Sequence, residues 1–170
     1  MAIADISGVN DDARNLATFL GEVLSKVVTV YDSYNMPVPT RKYYTFGAPA
    51  VDCEQLVVSL IQMYIGTPGD EANEPRRCND PRSATLLVSV SRAVPVAQAN
   101  GNPPNSANIQ SATEVSALDA WILMESVRDF DSSWSGLPSG LGLGVIATVD
   151  VDSPEGGFQT TRLTITMAVP

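Results

Sequence analysis

The side chains able to do chemistry in this chain of 170 residues are carboxylates, arginines, tyrosines and two cysteines; histidine is absent. That absence removes Ser-His-Asp and Cys-His catalysis, imidazole-ligated metals and the usual proton shuttle near neutral pH. Cys53 and Cys78 alone cannot complete an all-thiolate zinc site. They read either as small buried thiols or as a bridge, the second only if the loop between them folds back. The acidic pairs Asp11-Asp12, Asp129/Asp131 and Asp150/Asp152 lack the alternating oxygen-ligand loop of a calcium site and read as solvated faces and helix caps. The glycine series Gly136, Gly140, Gly142, Gly144 has neither Walker spacing nor GxGxxG order, and it precedes a strand instead of a helix. No catalytic residue, cofactor or metal is expected. A hydrolase built on Asp and Glu is the enzymatic alternative.

Recognition is the better use of these residues. Tyr43, Tyr44 and Phe46, followed by Gly47-Ala48-Pro49, offer broad contact area with polar tips; the plain alternative is an ordinary edge strand. The stretch Gly66 to Arg82 concentrates Asp70, Glu71, Glu74, Arg76, Arg77, Asp80 and Arg82 among Pro68, Pro75 and Pro81. A loop of that length is either an interaction element or a tolerated insertion. Trp134 stands in a glycine-flanked link and needs a pocket, on a partner or on its own core.

Charge narrows the partners. Ten Lys+Arg against nineteen Asp+Glu give a net charge of -9, which opposes attraction to nucleic-acid phosphates and anionic lipid. No apolar run reaches the ~18 residues that cross a bilayer. The first residues, Met1 to Asp12, carry neither a basic segment nor an apolar core of signal-peptide length, so the expectation is a product made and kept in a cytoplasm. With 44% apolar and 17% charged residues, the chain suits one folded domain over residues 1–170.

The elements that must position these groups follow from periodicity. Leu16, Phe19, Leu20, Val23, Leu24, Val27, Val28 and Tyr31 recur at three- and four-residue steps, predicting a helix over 11–34 that Asn35-Met36-Pro37 stops. Strands are expected at Arg41–Phe46, at Cys53–Ile65 and at Ser83–Val96, where Leu86, Val88 and Val90 share one face and Ser89 and Ser91 the other. A loop over 98–108 leads to a second helix from Ser111, whose spacing to Glu114 fits a capping box. Val115, Leu118, Trp121, Ile122 and Leu123 then form a broad apolar surface pressed on a sheet. After a glycine-rich connector over 131–144, Val145–Asp152 and Phe158–Val169 form a hairpin. In its second strand Leu163, Ile165, Met167 and Val169 are expected on one face and Arg162, Thr164 and Thr166 on the other, the pattern of a half-buried strand. The order predicts a single α+β domain: a mainly antiparallel or mixed sheet with two helices packed on one face.

The positions Thr45-Phe46-Gly47, Pro49, Asp52-Cys53-Glu54-Gln55-Leu56, Cys78, Pro81-Arg82 and Arg92 with Pro95-Val96 form a pattern in this order. The pattern, spread over residues 10–130, resembles the tail terminator proteins of long-tailed, siphovirus-type phages of actinobacteria. The resemblance implies a small α+β virion protein that assembles into a homohexameric ring at the head-proximal end of the tail tube. Such a ring stops tube polymerisation and joins the tail to the head-completion (stopper) protein. A heterologous ring buries a different patch on each side of its subunit. Tyr43, Tyr44, Phe46, Asp70, Glu71, Arg76, Arg77, Arg82 and Trp134 are the candidates for those patches. DNA would traverse the lumen unbound, past walls whose acidity repels phosphate. Two other readings stand beside this one: a head-completion protein of the neck, and a small cytoplasmic ligand-binding domain.

Overall fold

The computed structural model describes residues 9–69, 82–97, 101–128 and 145–169. Along the chain these form α1 (Val9–Ser33), β1 (Arg41–Phe46), β2 (Gln55–Ile65), β3 (Arg82–Ala93), α2 (Ser106–Arg128), β4 (Ile146–Val151) and β5 (Phe158–Val169). The strands make one mixed sheet in the order β1-β2-β3-β5-β4, with both helices on one face: the expected α+β arrangement.

The alternation of each strand assigns its side chains to a face. Leu56, Val58 and Leu60 of β2, Ala84, Leu86, Val88 and Val90 of β3, and Leu163, Ile165 and Met167 of β5 meet Leu20, Val23, Val27 and Tyr31 of α1 and Ile122 and Leu123 of α2 in one buried core. Burying each of the larger apolar side chains contributes about 1.5–3 kcal/mol, which is why the pattern fixes register so firmly. The opposite face is rich in hydroxyls. Ser91 and Thr160 share a hydrogen bond of 2.9 Å, and Thr85 and Thr166 one of 3.3 Å, bridging β3 and β5.

Helix α1 stops where the sequence predicts. Asn35 takes a left-handed φ of 52° while its N–H donates to Asp32 O at 3.0 Å and the Met36 N–H donates to Tyr31 O at 3.0 Å. Those two bonds are the Schellman closure that satisfies the last carbonyls.

Four expectations need correction. Helix α2 begins at Ser106, so Ser111 and Glu114 lie inside it; the cap is Asn105, whose Oδ1 accepts the Ala107 N–H at 2.9 Å. An asparagine side chain readily supplies such an acceptor, and here it starts the helix nearly two turns upstream of the expected cap. Leu118 and Trp121 are exposed, because Ile122 and Leu123 already fill the sheet-facing side of a helix that is apolar on more than one face. Cys53 lies outside its strand, since β2 starts at Gln55. Arg82 belongs to no loop; it opens β3, in register with Ile65 and Val169.

One ladder is parallel. β1 runs beside β2 with Arg41 at Gln55 and Phe46 at Leu60, so residues 47–54 must carry the chain back along the length of β1. Gly47, at a φ of 82°, turns the chain, and Gln55 Nε2 holds the return by donating to Ala50 O at 2.6 Å.

Candidate functional site

The predicted aromatic segment forms β1, an outer strand of the sheet. Its residues divide between the faces. Tyr43 lies on the hydroxyl-rich face, its phenol donating to Gln55 Oε1 at 3.3 Å and its ring 5.1 Å from the Arg41 guanidinium. Tyr44 and Phe46 lie on the helix side, 44% and 61% exposed. Tyr44 leans on α1 where Gly21 leaves room: a Cβ there would stand 3.7 Å from the tyrosine ring. Arg41 also pairs with Asp52 at 2.5 Å and donates to Cys53 Sγ at 3.2 Å, which joins the start of β1 to the return loop. The thiol contact, followed by the Asp52 charge, raises the Arg41 pKa above its ordinary value despite partial desolvation. Cys53 is a free thiol and half-buried.

Of the other predicted contact residues, Arg82 is exposed at the first position of β3. Asp70, Glu71, Arg76, Arg77 and Trp134 lie outside the described residues, as do Cys78 and the connector glycines. The structure therefore brings Tyr43, Tyr44 and Phe46 together on one edge, with Arg82 two strands away.

A second apolar surface was missed as a contact surface. Ile109, Leu118, Trp121 and Met124 of α2 are all exposed, Trp121 by 58%. Their signal was present as excess: an apolar girdle wider than one sheet-facing stripe cannot be buried by one sheet. The inward side of the same helix is partly polar. Ser116, Asp119 and Ser126 are buried there. Asp119 is fully buried and accepts from Tyr31 Oη at 2.8 Å, from Arg92 Nε at 2.9 Å and from Arg92 Nη2 at 2.9 Å. Arg92 Nη2 donates further to Pro37 O at 2.9 Å. Burial, then the negative charge of Asp119, pushes the Tyr31 phenol far above its ordinary value. Desolvation lowers the Arg92 pKa, but its bonds to Asp119 and that carboxylate's charge outweigh it and raise the pKa overall. A lone aspartate between apolar helix positions was the legible sign of this network.

On the hydroxyl-rich face, a shallow depression of about 650 Å³ lies over β3, β5 and β4, lined by Ile61, Thr85, Leu87, Asp150, Val151, Asp152, Ser153, Arg162 and Thr164. Arg162 and Asp152 pair in it at 2.7 Å. Ser59 and Ser89, on the same face, carry buried hydroxyl oxygens with no hydrogen-bond partner. Among the described residues no three His, Cys, Asp or Glu side chains gather closely enough to hold a metal ion, and no helix is long and apolar enough to cross a membrane. No protein-family model and no curated protein matches this chain.

Proposed function

We propose that this chain is a structural virion protein, the subunit of a homohexameric ring that closes the head-proximal end of a phage tail tube, ends tube polymerisation and offers a surface to the head-completion protein. The observation that carries the reading is the presence of two unlike apolar surfaces on separate parts of one small domain, Tyr44 with Phe46 on the β1 edge and Leu118 with Trp121 on α2. A ring subunit seated on a tube has to meet both its neighbours and the tube, which takes separate surfaces on one small domain. The motif that resembles tail terminators supports the same reading, and several of its residues have architectural work in this fold: Gln55 holds the return loop and Arg92 joins β3 to α2. The partners are then other copies of the chain, the tube protein and the stopper. A net charge of -9 on every copy suits a lumen that DNA crosses without adhering, and it gives no reason to expect specific DNA binding. In this reading the chain is made in the host cytoplasm, ends in the virion and performs no catalysis.

The test is deletion of the gene followed by electron microscopy of the lysate. Tails of uncontrolled length detached from heads are expected; tails of normal length would end this reading. Mixing the purified protein with isolated tubes and with DNA-filled heads separates a terminator, which binds tubes, from a neck stopper, which binds heads.

A further inference from the structure

Among the described residues the sheet ends in two strands of six residues, β1 and β4, each paired on one side only. Strand alternation fixes which of their backbone groups are left. Gly47 N–H donates to Leu60 O at 2.9 Å, so Arg41, Tyr43 and Thr45 turn their amides toward β2, and Lys42, Tyr44 and Phe46 turn theirs outward. On β4, Asp152 N–H donates to Thr160 O at 2.9 Å. That phase turns Ile146, Thr148 and Asp150 toward β5 and leaves the amides of Ala147, Val149 and Val151 pointing out.

The side chains have the matching phase. Lys42, Tyr44 and Phe46 stand beside the core residues Leu56, Val58 and Leu60, and Ala147 and Val149 beside Ile165 and Leu163, so both outward sets occupy the helix-bearing face. Direction agrees as well, since the successive ladders leave β4 antiparallel to β1. Had either phase been reversed, pairing the two edges would have turned one subunit over.

Charge differs across the edges. β1 carries Arg41 and Lys42, whereas β4 carries Asp150, with Asp152 just beyond it. Edge strands are commonly protected against pairing, yet here each presents what the other lacks.

We propose that β4 of one copy of this chain adds to β1 of the next as an antiparallel ladder, making one sheet continuous through the assembly with all helices on one side. The register that sets Arg41 opposite Asp150 also sets Tyr44 opposite Ala147 and Phe46 opposite Val145, covering both exposed rings. The proposal deepens the ring reading and rests on it, by naming the surface through which neighbouring copies meet.

The test uses the purified full chain, alone and with isolated tail tubes, with assembly mass read by light scattering and backbone amide exchange read residue by residue. Assembly is expected to slow exchange at Lys42, Tyr44, Phe46, Ala147, Val149 and Val151, amides that find no partner among the described residues. Val149→Pro removes an outward donor that no described residue uses and is expected to weaken assembly by about tenfold or more. Arg41→Asp should weaken it too, and Arg41→Asp combined with Asp150→Arg should restore it. Assembly that leaves these amides fast and tolerates Val149→Pro overturns edge pairing while sparing the ring reading. A chain that stays monomeric both alone and on tubes overturns the two together. Because exchange is followed on the unmodified chain, damage to folding by the proline cannot imitate either result.

Discussion

Arg92 of β3 grips Asp119 of α2 with a fork, Nε to Oδ2 and Nη2 to Oδ1, both at 2.9 Å. With Tyr31 of α1 donating to the same carboxylate at 2.8 Å, this is a polar junction of both helices with the sheet. The Asp119 side chain is fully buried and that of Arg92 is 13% exposed, so the carboxylate has no water as an alternative partner and the guanidinium little. Asp119→Ala is expected to cost about 3–5 kcal/mol in urea unfolding, because it strands a desolvated guanidinium. Replacing both members, as in Asp119→Leu with Arg92→Met, should cost much less than the sum of the single changes, and strict additivity would contradict the coupling.

Tyr31 gives the junction a pH signature. Its phenol is raised well above the ordinary 10.0, chiefly by burial and next by the Asp119 charge. The unfolded chain therefore releases this proton before the folded protein does. Stability from the phenol is complete below pH 10 and falls as pH climbs above it, because in that window the folded state holds the extra proton. Melting temperatures measured from pH 8 upward should drop more steeply for the natural chain than for Tyr31→Phe. That variant should itself lose about 1.5–3 kcal/mol at neutral pH, through one hydrogen bond to a charged acceptor. Parallel alkaline slopes would remove Tyr31 from the explanation.

Neighbouring positions on α2 should behave in opposite ways. Leu123 is fully buried, and Leu123→Ala is expected to destabilise by about 2–5 kcal/mol. Trp121 is 58% exposed, and Trp121→Ala should stay within about 0.5 kcal/mol of the natural chain in the same assay while weakening binding to tail tubes. With Trp134→Phe as background, the Trp121 emission should shift to the blue when tubes are added. An unchanged spectrum would exclude this face from the contact.

The start of α2 offers a direct comparison of two caps. Asn105→Ala should cost about 1 kcal/mol, since it removes the acceptor of the Ala107 N–H. Ser111→Ala, at an exposed mid-helix position, should be neutral or slightly stabilising. Equal losses would mean that the helix can begin at either place.

These cases also mark how far the sequence could be read. The strict alternation of Leu163, Ile165 and Met167 and the proline-bounded end at Asn35 disclosed the sheet and the first helix, because each depends on neighbours in sequence. The pairing of β3 with β5 and the parallel return of β1 beside β2 depend on residues far apart, and periodicity carries no record of partners. Tyr43, Tyr44 and Phe46 were found as an edge by their composition. Leu118 and Trp121 read as core residues by their apolar character, yet they are exposed, because apolar residues do not all fit inside. Asp119 escaped notice because its partner Arg92 is 27 residues away, and a helix phase decides whether they meet.

That phase has a mechanical meaning. With apolar residues on more than one side, α2 could satisfy the sheet in several rotations about its own axis, and greasy contact alone would choose weakly among them. The Arg92 fork acts as a key in a slot. A turn of the helix by a single residue step, about 100°, would pull Asp119 off its partner and swing Trp121 toward the sheet. A buried ion pair thus decides which side of the cylinder faces out, and the tryptophan stands exposed because an aspartate is locked inside.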